Sequence, residues 1–236
     1  MAGRAETRKA AAVPDARTNA GVEQDAAARL AAVVRELVDA TVRTEIDPAE
    51  VDDVRADLEA LVERLRQRQL PGSFGAAHGW ESGRRHWGNA VIGPRNAIAP
   101  PLAMVRERGR VWSEFSLGAA YEGPPTFVHG GVSALVLDQV LGEAAASSGH
   151  PGMTGTLSLR YRRPTPLGRL RAEAEMTRVE GIKTFVEGRI QVPGPDGSWV
   201  TSVEAEGVFI LPRWARERLA ERERANEAGD SSFFEV

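Results

Sequence analysis

Phe127-Val-His-Gly-Gly-Val-Ser-Ala-Leu-Val-Leu-Asp138 opens a stretch that continues, with almost no charge, to Ser147. From Gly130 onward it reads as a helix. Val132, Leu135, Val136, Val140 and Leu141 cover much of its circumference, and a helix of that kind must be enclosed. The flanking sequence supplies the enclosure. Before it, from Arg110, the period is two: Val111, Ser113, Phe115 and Leu117 share one face, and Trp112, Glu114 and Ser116 the other. A turn-rich link, Tyr121 to Pro125, leads into the helix. After it come four more alternating runs. Leu157, Leu159 and Tyr161 define the first, and Leu170, Ala172, Ala174 and Met176 the second. Val186, Gly188, Ile190 and Val192 define the third, and Val203, Ala205 and Phe209 the last, with Ser202, Glu204 and Glu206 facing outward. The links Pro164–Gly168, Glu180-Gly181 and Pro193–Gly197 are short and predict antiparallel neighbours. Strand, apolar helix and four strands predict an α+β fold, a curved antiparallel sheet wrapped around a central helix.

Residues 1–21 are small, polar and aperiodic and read as a disordered tail. Residues 22–70 hold two amphipathic helices. One carries Leu30, Val33, Val34, Leu37 and Val38. The other opens at Asp47-Pro48, a cap followed by a proline suited to the first turn, and carries Val51, Val54, Leu58, Leu61, Val62 and Leu65. The main domain is expected over 71–212. It begins with an irregular stretch, Ser73 to about Met104, which holds Trp80, Trp87 and Pro100-Pro101. Residues 213–236 read as a charged C-terminal helix, Arg213 to about Asn226, and a loose end.

The chain has 236 residues, 42% hydrophobic and 27% charged, with a formal net charge of -3. That composition excludes collagen-like and wholly disordered classes and gives no basic surface for nucleic acid. With no cysteine, thiolate nucleophiles and Cys-ligated metals are excluded. No apolar run is long enough for a membrane span, and the N-terminus lacks the apolar stretch of a secretory signal, so a soluble cytoplasmic protein is expected. Arginine greatly outnumbers lysine. With so much alanine, this suggests a GC-rich bacterial genome.

The chemistry centres on the helix start. Gly130 and Gly131 lack side chains, so a ligand can approach the backbone. The first N–H groups of a helix have no intrahelical partners and carry positive partial charge, which suits a developing oxyanion. Asp138 follows two turns later among Leu135, Val136, Leu137, Val140 and Leu141. A buried, unpaired carboxylate is costly, so it needs a wet cavity, an interface or a partner. An acid beside such a helix start fits hydrolysis of an activated acyl group, with the aspartate as general base or nucleophile. From spacing alone a second reading stands equally: the glycines permit close packing and Asp138 is a satisfied polar residue.

Glu122-Gly-Pro-Pro-Thr-Phe-Val-His129-Gly-Gly, then Asp138, then Met153-Thr154-Gly-Thr-Leu-Ser-Leu-Arg-Tyr-Arg-Arg-Pro164-Thr-Pro-Leu-Gly168 resembles the hotdog-fold acyl-CoA thioesterases. The nearest group includes the phenylacetyl-CoA thioesterases and the thioesterase superfamily members. The resemblance covers about Ala97 to Pro212 and leaves out the N-terminal helices. It implies a hotdog fold and hydrolysis of acyl-CoA to free acid and CoA. It implies that Asp138 activates water or attacks the thioester, and that the N–H of Gly131 or Gly130 binds the carbonyl oxygen beside His129. It also implies a water-orienting hydroxyl at Thr154, contributed across the interface of a homodimer, which can pair further into a dimer of dimers. No cofactor is implied; coenzyme A enters with the substrate. Where some members carry a further polar residue before the His-Gly-Gly, this sequence reads Gly123-Pro124-Pro125.

Arg160, Arg162 and Arg163 fit either coenzyme A phosphates or a solvated strand face with cross-strand ion pairs. His78, His86 and His150 lack metal-ligand spacing, and no metal site is expected. Trp80 and Trp87 line an acyl pocket or simply pack. Ser133 does not lie in a G-x-S-x-G elbow. Two alternatives stay open: a hotdog protein that binds acyl-CoA or another apolar ligand without turnover, and a hydratase on the same fold.

Overall fold

The computed structural model describes residues 16–70, 87–213, 216 and 217. Two helices come first, α1 (Ala16–Arg43) and α2 (Pro48–Arg66). Helix α1 begins inside the stretch expected to be tail, at Ala16. Its polar contacts with the main domain include two to backbone groups. Asp39 Oδ1 accepts the Ala119 N–H at 3.2 Å, and Arg35 Nε donates to the Ala99 carbonyl at 3.1 Å. The loop before the sheet buries Trp87 and Val91. Trp80, His78 and His86 lie outside the described residues, as does the C-terminal helix apart from Arg213, Arg216 and Glu217.

The main domain is a six-stranded antiparallel sheet: β1 (Val105–Glu107), β2 (Arg110–Leu117), β3 (Met153–Tyr161), β4 (Gly168–Glu180), β5 (Lys183–Pro193) and β6 (Trp199–Ile210). Helix α3 (Gly130–Ser147) lies across its concave face. The alternation in each run decides which side chains meet it. Val111, Leu117, Leu170, Ala172, Val186, Ile190, Val203 and Phe209 are buried from the sheet, and Val136, Leu137, Val140, Leu141, Ala144 and Ala145 from the helix. This is the α+β arrangement expected from the sequence, a curved sheet wrapped on one helix.

Three details differ from expectation. A short strand, β1, precedes β2 and pairs with it through a turn at Gly109. Next, the strand order is β1-β2-β4-β5-β6-β3, so β3 and β4 are not neighbours despite their short link. The link crosses under the end of the sheet and pairs with the chain before α3. Val128 N–H donates to Thr165 O at 2.8 Å, and Leu167 N–H to Thr126 O at 2.9 Å. Three strand spacings are about 14 Å, within the reach of about 20 Å that six extended residues have. Pro164 and Pro166 keep this link out of the ladder. Finally, Ser202 is buried rather than outward-facing, because β5 and β6 shift register at Ile190/Gln191. Its hydroxyl donates to Ile190 O at 3.2 Å and accepts from Thr165 Oγ1 at 2.9 Å, which fixes the crossing link to the sheet.

The outer face is charged, with one carboxylate set deep in it. Glu173 bonds Arg171 and Arg189 and lies 3.6 Å from Arg110. Burial pushes its carboxyl up, but the bonds and charges of Arg189 and Arg171 more than reverse this and hold it below the ordinary carboxylate value. A depressed folded-state pKa stabilises the fold above the unfolded value of about 4.3, and that contribution disappears as pH falls through the folded value. The melting temperature of the wild type should therefore fall more steeply below about pH 4.3 than that of Glu173→Gln. Parallel curves for the two proteins would contradict this.

Candidate active site

The start of α3 is built by the turn before it. Gly123 N–H donates to Phe127 O at 2.9 Å, and His129 N–H to Tyr121 O at 2.9 Å. A Cβ on Gly123 would lie 2.8 Å from His129 Cα, so only glycine fits there. Thr126 adopts φ 70, an unfavourable conformation for a β-branched residue, and its N–H is held by the Glu122 carboxylate at 2.5 Å. Glu122 is thus engaged in shaping the turn. His129 is the N-cap. Its carbonyl accepts Val132 N–H, and its Nδ1 accepts Gly131 N–H at 3.0 Å. The Gly131 amide, expected to be open, is therefore covered by an imidazole that a ligand oxygen would have to displace.

Asp138 is half-buried, and among the described residues no cation forms an ion pair with it. Its partner is Thr154, whose Oγ1 donates to Asp138 Oδ1 at 2.8 Å. This contact lies within one chain. The cause is a bulge in β3. Alternation from Leu157, Leu159 and Tyr161 would send Thr154 outward with Ser158 and Arg160. The register shift between Thr154 and Thr156 inserts Gly155, reverses the parity and aims Thr154 at the helix. A Cβ at Gly155 would lie 2.6 Å from Ile210 Cδ1, so a larger residue there would push the Ile210 side chain aside.

One residue was not singled out from the sequence. Tyr161, at the far end of β3, donates its hydroxyl to Gly130 O at 2.9 Å and ties the helix start to the strand. An inward-parity tyrosine at the end of a strand was the only signal. Strand β3 therefore touches both chemical ends of α3, Thr154 at the acid and Tyr161 at the helix start. It is also an open edge of the sheet, mostly exposed along its length.

The arginines separate. Arg162 follows the end of β3 and bonds Glu204 through Nε and Nη2 at 2.9 and 2.7 Å. That bond holds the Glu204 carboxyl below its usual range. Arg162 thus forms the cross-strand pair. Arg160 stands opposite Glu204 in register and is exposed, as is Arg163. His150 is exposed, with Nδ1 at 3.4 Å from Ser148 Oγ. Ser133 is buried in α3. Among the described residues no group of three or more His, Asp or Glu is arranged to hold a metal ion, and no helix is long and apolar enough to cross a membrane.

A curved antiparallel sheet around one helix, with a His-Gly-Gly helix start and an acid two turns along, is the arrangement that the resemblance to hotdog thioesterases implied. The family model described as thioesterase superfamily matches residues 126–196. The crystal structure of a thioesterase superfamily protein superposes with a TM-score of 0.67 at 35% identity, over 78% of this chain and 90% of that one. The chain belongs to the thioesterase superfamily. Acyl-coenzyme A thioesterase THEM4 of Mus musculus is 37% identical over 35% of this chain and 36% of its own length. The same-named protein of Xenopus laevis is 34% identical over 41% and 42%. The match thus spans well under half of each curated relative. Both relatives are vertebrate and lend no support to a bacterial reading of the arginine bias.

Proposed function

We propose that this protein hydrolyses acyl-CoA thioesters as a homodimer. The observation that carries the proposal is the Asp138–Thr154 pair: a half-buried carboxylate with no ion pair among the described residues, one oxygen fixed by a hydroxyl and the other left to take a proton. The names of the THEM4 relatives supply the substrate class.

The resemblance to thioesterases whose sites form at a dimer interface supports a second subunit. Gly131 and Asp138 are seven residues apart, about 10 Å along the helix axis, and in this reading the helix start of a partner supplies the oxyanion donor to the thioester attacked at Asp138. The open edge of β3 offers the pairing. Antiparallel to a copy of itself, it brings Thr154 of one subunit toward Tyr161 and the helix start of the other.

Asp138 removes a proton from a water held with Thr154, and the water oxygen attacks the thioester carbon. The electron pair moves onto the carbonyl oxygen, which the Gly131 N–H of the partner subunit binds in place of His129. The intermediate collapses, breaks the C–S bond and expels the CoA thiolate, which is then protonated. Asp138 returns its proton to solvent. No cofactor takes part, and Arg160 and Arg163 are the arginines left to meet CoA phosphates.

A thiol-release assay over short, medium, long and aromatic acyl-CoAs tests the proposal, with an enoyl-CoA as control. Catalytic thiol release from at least one acyl-CoA is expected. Binding without release would favour the non-catalytic reading, and hydration of the enoyl-CoA the hydratase reading. Tyr161→Phe removes one hydrogen bond to the helix start. It should lower kcat/KM roughly 2- to 10-fold with little change in melting temperature, and an unchanged kcat/KM would remove Tyr161 from the site.

A further inference from the structure

Helix α2 buries none of its residues. Val51, Val54, Leu58, Leu61 and Leu65 follow a 3-4-3-4 spacing, the a and d positions of two heptads. Four of these, Val51, Val54, Leu61 and Leu65, are 41% to 54% exposed, too open for side chains that have found their packing partner. The charges are sorted along the same helix. From Asp47 to Glu59 six carboxylates accompany one arginine, and from Ala60 to Arg68 three arginines accompany one glutamate. A parallel copy would set acid against acid. An antiparallel copy sets the acidic half of each helix against the basic half of the other and opposes the helix dipoles favourably.

We infer that α2 is an assembly element that pairs antiparallel with α2 of a second copy of this chain. In the register that layers a against d, Leu58 meets the Leu61 position of the other helix, Val54 meets the Leu65 position, and Asp57 lies beside the Arg64 position, both at g. Two heptads are fewer than the three to four of an autonomous coiled coil, so the seam adds to another contact between copies. In that respect it rests on the homodimer proposed above.

The chain has no cysteine, so disulfide trapping reads the contact without background. Within one helix Val54 and Leu65 are eleven residues apart, about 16 Å, well beyond the roughly 4.4–6.8 Å Cα separation of a disulfide. Val54→Cys/Leu65→Cys in the full chain should give a disulfide-linked dimer as the main species on mild oxidation. Either single variant should stay unlinked, and adding Leu58→Glu to the double variant should abolish linking. Singles that link as well as the double, or linking that survives Leu58→Glu, would overturn the antiparallel seam. A double variant that stays unlinked while light scattering shows a dimer would overturn the seam and leave the homodimer standing. A monomeric wild type by light scattering would overturn both.

Discussion

Asp138→Asn should lower kcat/KM for acyl-CoA hydrolysis by about 10²- to 10⁴-fold, the usual worth of a positioned general base, with the melting temperature nearly unchanged. The substitution keeps shape and keeps an oxygen for the Thr154 hydroxyl to meet. No ion pair is broken, because Asp138 has none among the described residues. What is lost is the group that takes the water's proton. If Asp138 instead attacks the thioester directly, the loss reaches the same range and an acyl-enzyme ceases to form. Rapid-quench measurement of the first turnover separates the two routes. Near-wild-type hydrolysis of every accepted acyl-CoA would remove Asp138 from the chemistry.

The second large effect concerns the core that holds this helix in place. Leu141 is fully buried and sits in a notch opened by two glycines. A Cβ at Gly188 would lie 2.6 Å from its Cδ1, and one at Gly207 would lie 2.8 Å from its Cδ2. Removing the side chain leaves a cavity that the curved sheet cannot close. Leu141→Ala should cost about 3–5 kcal/mol, which chemical denaturation measures directly. Gly207→Ala alone should cost about 1–3 kcal/mol through overpacking against Leu141 and Phe209. Together the two should cost less than their sum, because the new methyl enters the vacated notch. Strict additivity would show that the notch is not shared.

Much of this was legible in the sequence because it rests on periodicity. The apolar run from Gly130 to Ser147 needs a sheet to cover it, and the alternating runs supply one. What periodicity does not carry is strand order. The link from Tyr161 to Gly168 looks like a hairpin connection, yet β3 pairs with β6, because hydrogen bonds to Thr126 and Val128 draw the link under the sheet. Bulges are equally silent. Gly155 reverses the parity of Thr154, and the β5–β6 shift turns Ser202 inward; each depends on one residue that alternation treats as ordinary. At the site, residue types pointed to Asp138 and the helix start. The His129 cap on Gly131 and the bond from Tyr161 arise from three-dimensional placement and left little trace in the sequence.

The most direct test uses dimers that carry two different lesions, purified on two affinity tags. One subunit carries Asp138→Asn. The other carries Gly131→Pro, which deletes the N–H offered to the oxyanion. Each parent homodimer should be nearly inactive. In the mixed dimer one site unites an intact Asp138 with an intact helix start from the other subunit. Thiol release should therefore recover to about half the wild-type rate per dimer, as two-fold symmetry dictates. A mixed dimer as inactive as its parents would contradict a site shared between two chains.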